Sequence, residues 1–214
     1  MNMKFLSTVV AIAVTGTLCS SAFAASDVAA GAVVSYTGSG FGGSSSTWGA
    51  GVFTPSIITS ATALTDGTQW NTGAAQGLTT GPGTAFWNGT SIGDPSQWLT
   101  ITLGQTATVS SIVLQADNND AYQVLYHNGS GWTPLAIFGG VGGWGLATRP
   151  EQTFSAVTTD AFRIVAADGD GYYSVGHFTA NGVPAVPEPE TYAMMMAGLA
   201  LVGGMARRRK VAQQ

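Results

Sequence analysis

From Trp98 onward, apolar and polar positions alternate in short runs separated by turn residues. Trp98-Leu99-Thr100-Ile101-Thr102-Leu103 alternates by two, and so does Val109 to Leu114, the period of a strand with one buried face. Tyr122 to Tyr126 and Trp132 to Phe138 flank His127-Asn128-Gly129-Ser130-Gly131, where Asn-Gly marks a hairpin because such turns need positive φ. Thr153-Phe154, Phe162 to Ala166 and Tyr172 to Ala180 add further strands, and Val33 to Tyr36 a first one. Strands recur roughly every 8–12 residues and no amphipathic helix separates them, which predicts an all-β fold: an antiparallel sandwich or jelly roll. Ala25 to Ala32 reads as a lead-in and Gly38 to Gly51 as a Gly/Ser-rich loop. A long polar stretch then runs from Trp70 to Gln97. Gly38-Ser39-Gly40-Phe41-Gly42-Gly43 approaches a phosphate-binding GxGxxG, but no helix follows it and the chain has 30 glycines, so chance explains it.

The two ends follow another pattern. Lys4 is the only charge before Phe5 to Leu18, an apolar run broken only by small polar residues, and Ala22-Phe23-Ala24 is an A-x-A cleavage site. This predicts a secretory signal peptide over 1–24, removed between Ala24 and Ala25. Cys19, the only cysteine, lies inside it, preceded by Leu18 where lipidation would need a small residue. The remainder then has no disulfide and no thiol nucleophile. At the other end, Pro187-Glu188-Pro189 forms an extended hinge, since proline restricts its own φ and the residue before it. After it, Thr191 to Ala206 carries no charge and Arg207-Arg208-Arg209-Lys210 follows. A helix over those 16 residues would span roughly 24 Å, just short of a usual membrane span. The cations bias its end to the cytoplasm, which leaves everything before the hinge outside. The chain thus divides into a signal peptide (1–24), a β-sandwich domain (25–186) and a tail (187–210) with a single hydrophobic helix.

Charge sharpens the picture. The whole chain has a formal net charge of −4, but most cations sit in the two ends. Between 25 and 186, nine carboxylates face Arg149 and Arg163 alone, a net of −7. Such a surface excludes nucleic acid, whose phosphates demand cations, and suits Ca²⁺ or neutral glycans.

The tail resembles the PEP-CTERM sorting signal of Gram-negative bacteria in the order and spacing of its three parts. The resemblance implies recognition by an exosortase-type membrane protease-transpeptidase near Pro187, Glu188 and Pro189. It also implies transient residence in the inner membrane and delivery to the cell surface or an exopolysaccharide matrix. An ordinary C-terminal anchor with a chance proline hinge is the alternative.

The domain has a resemblance of its own. Leu64-Thr65-Asp66-Gly67, Trp98 to Gly104, Val109-Ser110-Ser111-Ile112, Tyr122-Gln123-Val124, Trp132-Thr133-Pro134-Leu135, Phe162-Arg163-Ile164 and Tyr172-Tyr173-Ser174-Val175 are similar in order to a discoidin, or coagulation-factor type C, domain. That implies a galactose-binding-like jelly roll that binds glycans or anionic surfaces, without catalysis, through loops at one end. It also implies a structural Ca²⁺ held partly by Asp66 and Thr68. Gly176-His177-Phe178 stands where the family has a glutamate, and an imidazole removes a hard oxygen ligand.

If successive strands reverse, the Asn128-Gly129 turn shares one end with Gly104 to Thr106 and Ala156 to Asp160. The opposite end collects Asp117 to Asp120, Gly139 to Pro150, Asp168 to Gly171 and the stretch containing Trp87 and Asn88. That collection suits a sugar. Trp87 or Trp144 would cover the apolar face of a ring, with Tyr172 nearby. Asp117, Asn119, Asp168 and Asp170 would take hydroxyls, and Arg149 would donate in pairs. Aspartates also cap their own backbone in tight loops, and the two acidic loops could instead hold Ca²⁺, although neither reproduces an EF-hand. Trp98 and Trp132 read as core, Arg163 as the partner of a carboxylate and His127 as a solvated turn residue.

Two other functions compete. A structural or adhesive matrix protein would need no ligand. A secreted hydrolase would use Gly89-Thr90-Ser91-Ile92-Gly93 with Asp168 and His177, but a nucleophile elbow needs a strand before and a helix after the serine. Asp94-Pro95 follows instead. Two isolated histidines do not make a zinc site.

Overall fold

A computed structural model describes residues 24–39, 41, 46–48, 51–53, 61–69, 84–89, 96–185 and 193–202. The signal-peptide run, Ser91 and most of its GxSxG string, the Pro187–Pro189 hinge and the terminal cations lie outside the described residues. Ala24 and Ala25 are exposed.

Eleven strands are present among the described residues: β1 (Ser26–Asp27), β2 (Val33–Thr37), β3 (Ser46–Trp48), β4 (Gly51–Phe53), β5 (Ala85–Asn88), β6 (Trp98–Asp117), β7 (Ala121–His127), β8 (Trp132–Phe138), β9 (Leu146–Thr148), β10 (Gln152–Asp168) and β11 (Tyr172–Pro184). All pairings are antiparallel. The main sheet runs β1-β11-β6-β10-β7-β8, with β2 and β9 also on β6 and β5 on β11, while β3 and β4 pair with each other.

Two long strands convert this sheet into a sandwich. β6 and β10 stay paired from Leu99↔Ile164 to Ile112↔Gln152, with register shifts between Thr153 and Val157 and between Thr159 and Ala161. The first half of β6 lies between β2 and the second half of β10, beside β7 and β8, in a front layer. Its second half lies between β11 and the start of β10 in a back layer. The expected separate strands at Trp98–Leu103 and Val109–Leu114 are therefore one bent strand, as are those around Thr153 and Phe162. The bends still place the loops as the turns would have done: Ala107 pairs with Thr159 at the same end as the His127–Asp160 contact.

The core forms where the inward parities of the two layers meet. Leu99, Ile101 and Leu103 of β6, Phe162 and Ile164 of β10, and Tyr122 and Val124 of β7 face Leu114, Val175, Phe178 and Ala180. Phe162 and Phe178 touch across the layers, with ring centroids 5.2 Å apart. The Asn128-Gly129 turn forms as expected: Gly129 has φ 88°, and Asn128 Oδ1 accepts the Ser130 and Gly131 amides.

The same parity turns Trp98 and Arg163 outward, which corrects three expectations. Trp98 and Trp132 are half-exposed rather than core. Arg163 sits between their rings, its guanidinium carbon 4.3 Å from one centroid and 4.0 Å from the other, and no carboxylate among the described residues pairs with it. His127 contacts Asp160 at 2.8 Å and packs at a tilt against Trp132, with ring centroids 5.3 Å apart.

Ser46–Trp48 and Gly51–Phe53 are strands in and just beyond the expected Gly/Ser loop, and β5 lies within the stretch read as polar. Near the C-terminus a helix covers 193–202, with Met194, Met195, Met196, Leu199, Leu201 and Val202 exposed. Among the described residues no helix is long and apolar enough to cross a membrane.

At Gly182, where β11 shifts register against β6, a Cβ would lie 2.9 Å from the Val109 Cα and closer still to the Thr108 carbonyl. Backbone cannot retreat cheaply there. Gly182→Ala should destabilise the domain by about 1–3 kcal/mol, read as a lowered midpoint in chemical denaturation.

Candidate functional site

The four loop segments expected together do meet at one end of the sandwich. Asn118 Nδ2 donates to the Gly143 carbonyl at 2.8 Å, and the Val141 amide donates to Asn118 O at 2.6 Å. Asn119 Nδ2 donates to Asp170 Oδ2 at 2.9 Å. The Gly89 amide donates to Gly171 O at 2.9 Å, extending the Asn88↔Tyr172 register of β5 and β11. Gln97 Nε2 reaches Asn88 O at 3.1 Å, so β6 both starts and finishes at this end.

Beneath the loops lies a buried polar knot. The Tyr122 hydroxyl donates to Asp117 Oδ1 and accepts the Ser174 amide at 2.9 Å. Arg149 Nη2 donates to the carbonyls of Asp117 and Asp120, which satisfies the backbone of a loop that water does not reach. Asp120 Oδ1 accepts the Asp170 amide at 3.1 Å and tethers the next loop. Gly169 packs directly on that carboxylate, with no room for a Cβ.

Burial raises the Asp117 carboxyl well above its ordinary range, and the neighbouring Asp120 charge raises it further. Burial also pushes Asp120 up, to about 6. Tyr122 is raised by burial and by the two carboxylates, and burial lowers Arg149. Burial thus shifts both carboxyls of the knot toward the protonated form, with Arg149 as the cation beside them.

The expected site residues thus separate into two sets. Trp87, with 0% of its surface exposed, is core, packed on Phe41 at 5.2 Å and Tyr173 at 5.6 Å. It has no face for a sugar. Asp117 and Arg149 are likewise buried and act as the scaffold of the loops. Accessible at this end are Trp144, 60% exposed, with Asn119, Asp168 and Asp170 exposed and Tyr172 half-buried. The cue for Trp87 was present: Ala85-Phe86-Trp87 is an unbroken apolar run, as in a strand buried on both faces.

The residues implied for Ca²⁺ do not fit it. Asp66 is exposed, and its Oδ1 accepts the Thr68 amide at 2.8 Å as a local turn. Opposite, His177 is buried, with Nε2 paired to Thr179 Oγ1 at 3.0 Å. Burial holds its pKa down, so the ring is neutral, whereas Ca²⁺ wants six to eight oxygens. Among the described residues no three His, Cys, Asp or Glu side chains gather as a metal site. His177 is thus held inside β11, whereas Asp168 stands exposed in the end loop.

Two bent ribbons closing an antiparallel sandwich, with four tied loops at one end, define a discoidin-like module. Residues 58–178 match the F5/8 type C domain, and the chain belongs to that family. Residues 185–210 match the PEP-CTERM protein-sorting motif. Among solved structures it is similar to the family 32 CBM of C. perfringens NanJ in complex with galactose. Identity is 18%, covering 74% of this chain and 98% of that one, with a TM-score of 0.47. It is also similar to chitosan-binding module 1 of a chitosanase/glucanase from Paenibacillus sp. IK-5, at 21% identity, 72% and 98% coverage and a TM-score of 0.45. A third is the lectin domain of lectinolysin complexed with Lewis B antigen, at 17% identity, 72% and 95% coverage and a TM-score of 0.46. No curated protein matches the chain in sequence.

Asp120 holds its proton more tightly folded than unfolded, with a pKa of about 6 against an ordinary 3.8. Its protonation therefore favours the folded state below the ordinary range, and that advantage is lost as pH rises through about 6. The melting temperature of the protein, relative to Asp120→Asn, should fall between about pH 4 and 6, as followed by thermal melts across that range. Adding Ca²⁺ or a chelator at neutral pH should leave both melts unchanged, since Asp66 Oδ1 is engaged by the Thr68 amide and His177 supplies no oxygen ligand.

Proposed function

We propose that this is an exported, non-catalytic carbohydrate-binding protein that takes a neutral or amino sugar at its loop end. What supports this reading most is Trp144, a large indole left 60% exposed in a glycine-rich loop that hydrogen bonds hold against Asn118. Its face would cover the C–H side of a pyranose ring. Asn119, Asp168, Asp170 and Tyr172 would meet the hydroxyls. The buried Arg149 is spent on loop carbonyls, so this end offers an acidic sugar no accessible cation. The two exposed aspartates would repel one.

The sorting motif at 185–210 supports export of the 25–186 domain and passage through the inner membrane. An exosortase-type enzyme would process the chain near Pro187, Glu188 and Pro189, releasing it to the cell surface or an exopolysaccharide matrix. The signal peptide over 1–24, cut between Ala24 and Ala25, belongs to the same reading.

Calorimetric titration of the purified protein with neutral, amino and acidic oligosaccharides tests the binding. Trp144→Ala should weaken the best neutral or amino ligand by about tenfold or more, some 1.4 kcal/mol, without moving the melting temperature. Binding indifferent to both Trp144→Ala and Asp170→Asn overturns the assignment. The mass of protein recovered from the cell exterior should begin at Ala25 and end near Pro187.

A further inference from the structure

Away from the loop end, the outer face of the front layer carries a second set of side chains that the fold does not use. Strand parity brings Trp98 of β6, Arg163 and Val165 of β10, Gln123 and Leu125 of β7 and Ile137 of β8 to this face. Together they line a groove of about 360 Å³, within the ~300–1,000 Å³ of small-molecule sites. Ile137 is 62% exposed, too large an apolar surface to leave in water without cost.

Arg163 gives the groove its chemistry. Its guanidinium carbon lies over the rings of both Trp98 and Trp132, so cation–π attraction from two indoles restricts the fork. Its Nε is buried without an acceptor, so the Nη1–Nη2 edge is the one a ligand would meet, and no carboxylate among the described residues reaches ion-pair distance. Arg149 being buried, Arg163 is the one arginine or lysine among the described residues with contact to solvent. A guanidinium held against two rings, with its Nη1–Nη2 edge unpaired, matches a carboxylate in paired hydrogen bonds and has less side-chain freedom to lose than a free arginine. Beside it, Leu125, Val165 and Ile137 offer aliphatic surface to a ring's C–H face, and the Gln123 amide offers a donor and an acceptor to hydroxyls.

We infer that this face is a second binding site, selective for a carboxylate-bearing sugar: a uronic acid residue within an oligosaccharide. Its Arg–carboxylate pair lies within one Debye length, about 8 Å at physiological ionic strength. The inference does not rest on the loop-end reading, because the two sites use different residues and opposite ligand charge.

The test is titration of the full chain with a galacturonate trimer and, separately, a neutral galactose trimer, together with NMR of the indole N–H signals. The acidic trimer should bind and shift the Trp98 and Trp132 signals, which the neutral trimer should leave in place. Arg163→Gln should reduce acidic-trimer affinity by tenfold or more. Arg163→Lys, which keeps the charge and loses the fork, should give an intermediate loss. Ile137→Asp, at an exposed position that leaves the stack intact, should also abolish binding with an unchanged melt, and it decides the question if Arg163→Gln unfolds. Trp144→Ala should leave acidic-trimer affinity as it is. An acidic trimer that fails to bind, or binds equally well to Arg163→Gln and Ile137→Asp, overturns the inference. Loss on Trp144→Ala alone would place the acidic sugar in the loops and overturn it equally.

Discussion

A strand that passes from one sheet to another must keep its amide and carbonyl groups paired while it turns, because an unpaired backbone group inside a core costs what a lost hydrogen bond costs. β6 and β10 meet that constraint by turning together. They remain partners on both sides of the bend and absorb the mismatch in two register shifts. The sandwich, its core and the gathering of loops at one end all follow from this shared bend. Each long strand then supplies inward residues to both layers, which is why Phe162 in front meets Phe178 behind.

At the loop end the same constraint is met with side chains. Four connecting segments cannot all pair with strands, so Arg149 and Tyr122 supply donors from within. The arrangement buries two carboxyl groups beside one guanidinium, which is expensive to desolvate, and burial shifts both carboxyls toward the protonated form. Buried polar groups here buy no ligand contact; they hold Asn119, Asp170 and Trp144 in place from below. Among the described residues the accessible chemistry is consequently split: carboxylates and an indole at the loops, one cation against two indoles on the sheet.

Much of this was legible in the chain. The pattern located β2, β7 and β8 nearly to their ends and β11 except for its last four residues, and Asn128-Gly129 marked its hairpin because that turn depends on local φ alone. Where long-range packing decided, the reading faltered. Nothing local distinguishes a turn at Gly104 from a bend in a strand that keeps its partner, so two strands were expected where β6 is one. Trp87 looked available because polar residues surround it in sequence, although its own three-residue run was apolar. For Trp98 and Arg163 the needed information was in hand: if Leu99, Ile101 and Leu103 point inward, Trp98 points out, and Phe162 and Ile164 turn Arg163 out likewise. Opening an alternating strand does not by itself put a tryptophan on the inward parity. That Arg163 would choose two rings over a carboxylate needed the register of β10 on β6 and the reach of β8 across β7, which no short pattern contains.

β11 runs the full height of the domain. It leaves the loops at Tyr172 and finishes at Pro184, opposite Ala107, with the Ala185 amide bonded to Thr106 at the far pole. A tether attached beyond Pro184 therefore grips the module from below, and Trp144 stands at the pole facing away from whatever holds the tail. Tension along that tether runs lengthwise down β11 and loads its ladder to β6 in shear, many bonds at once, rather than peeling them singly.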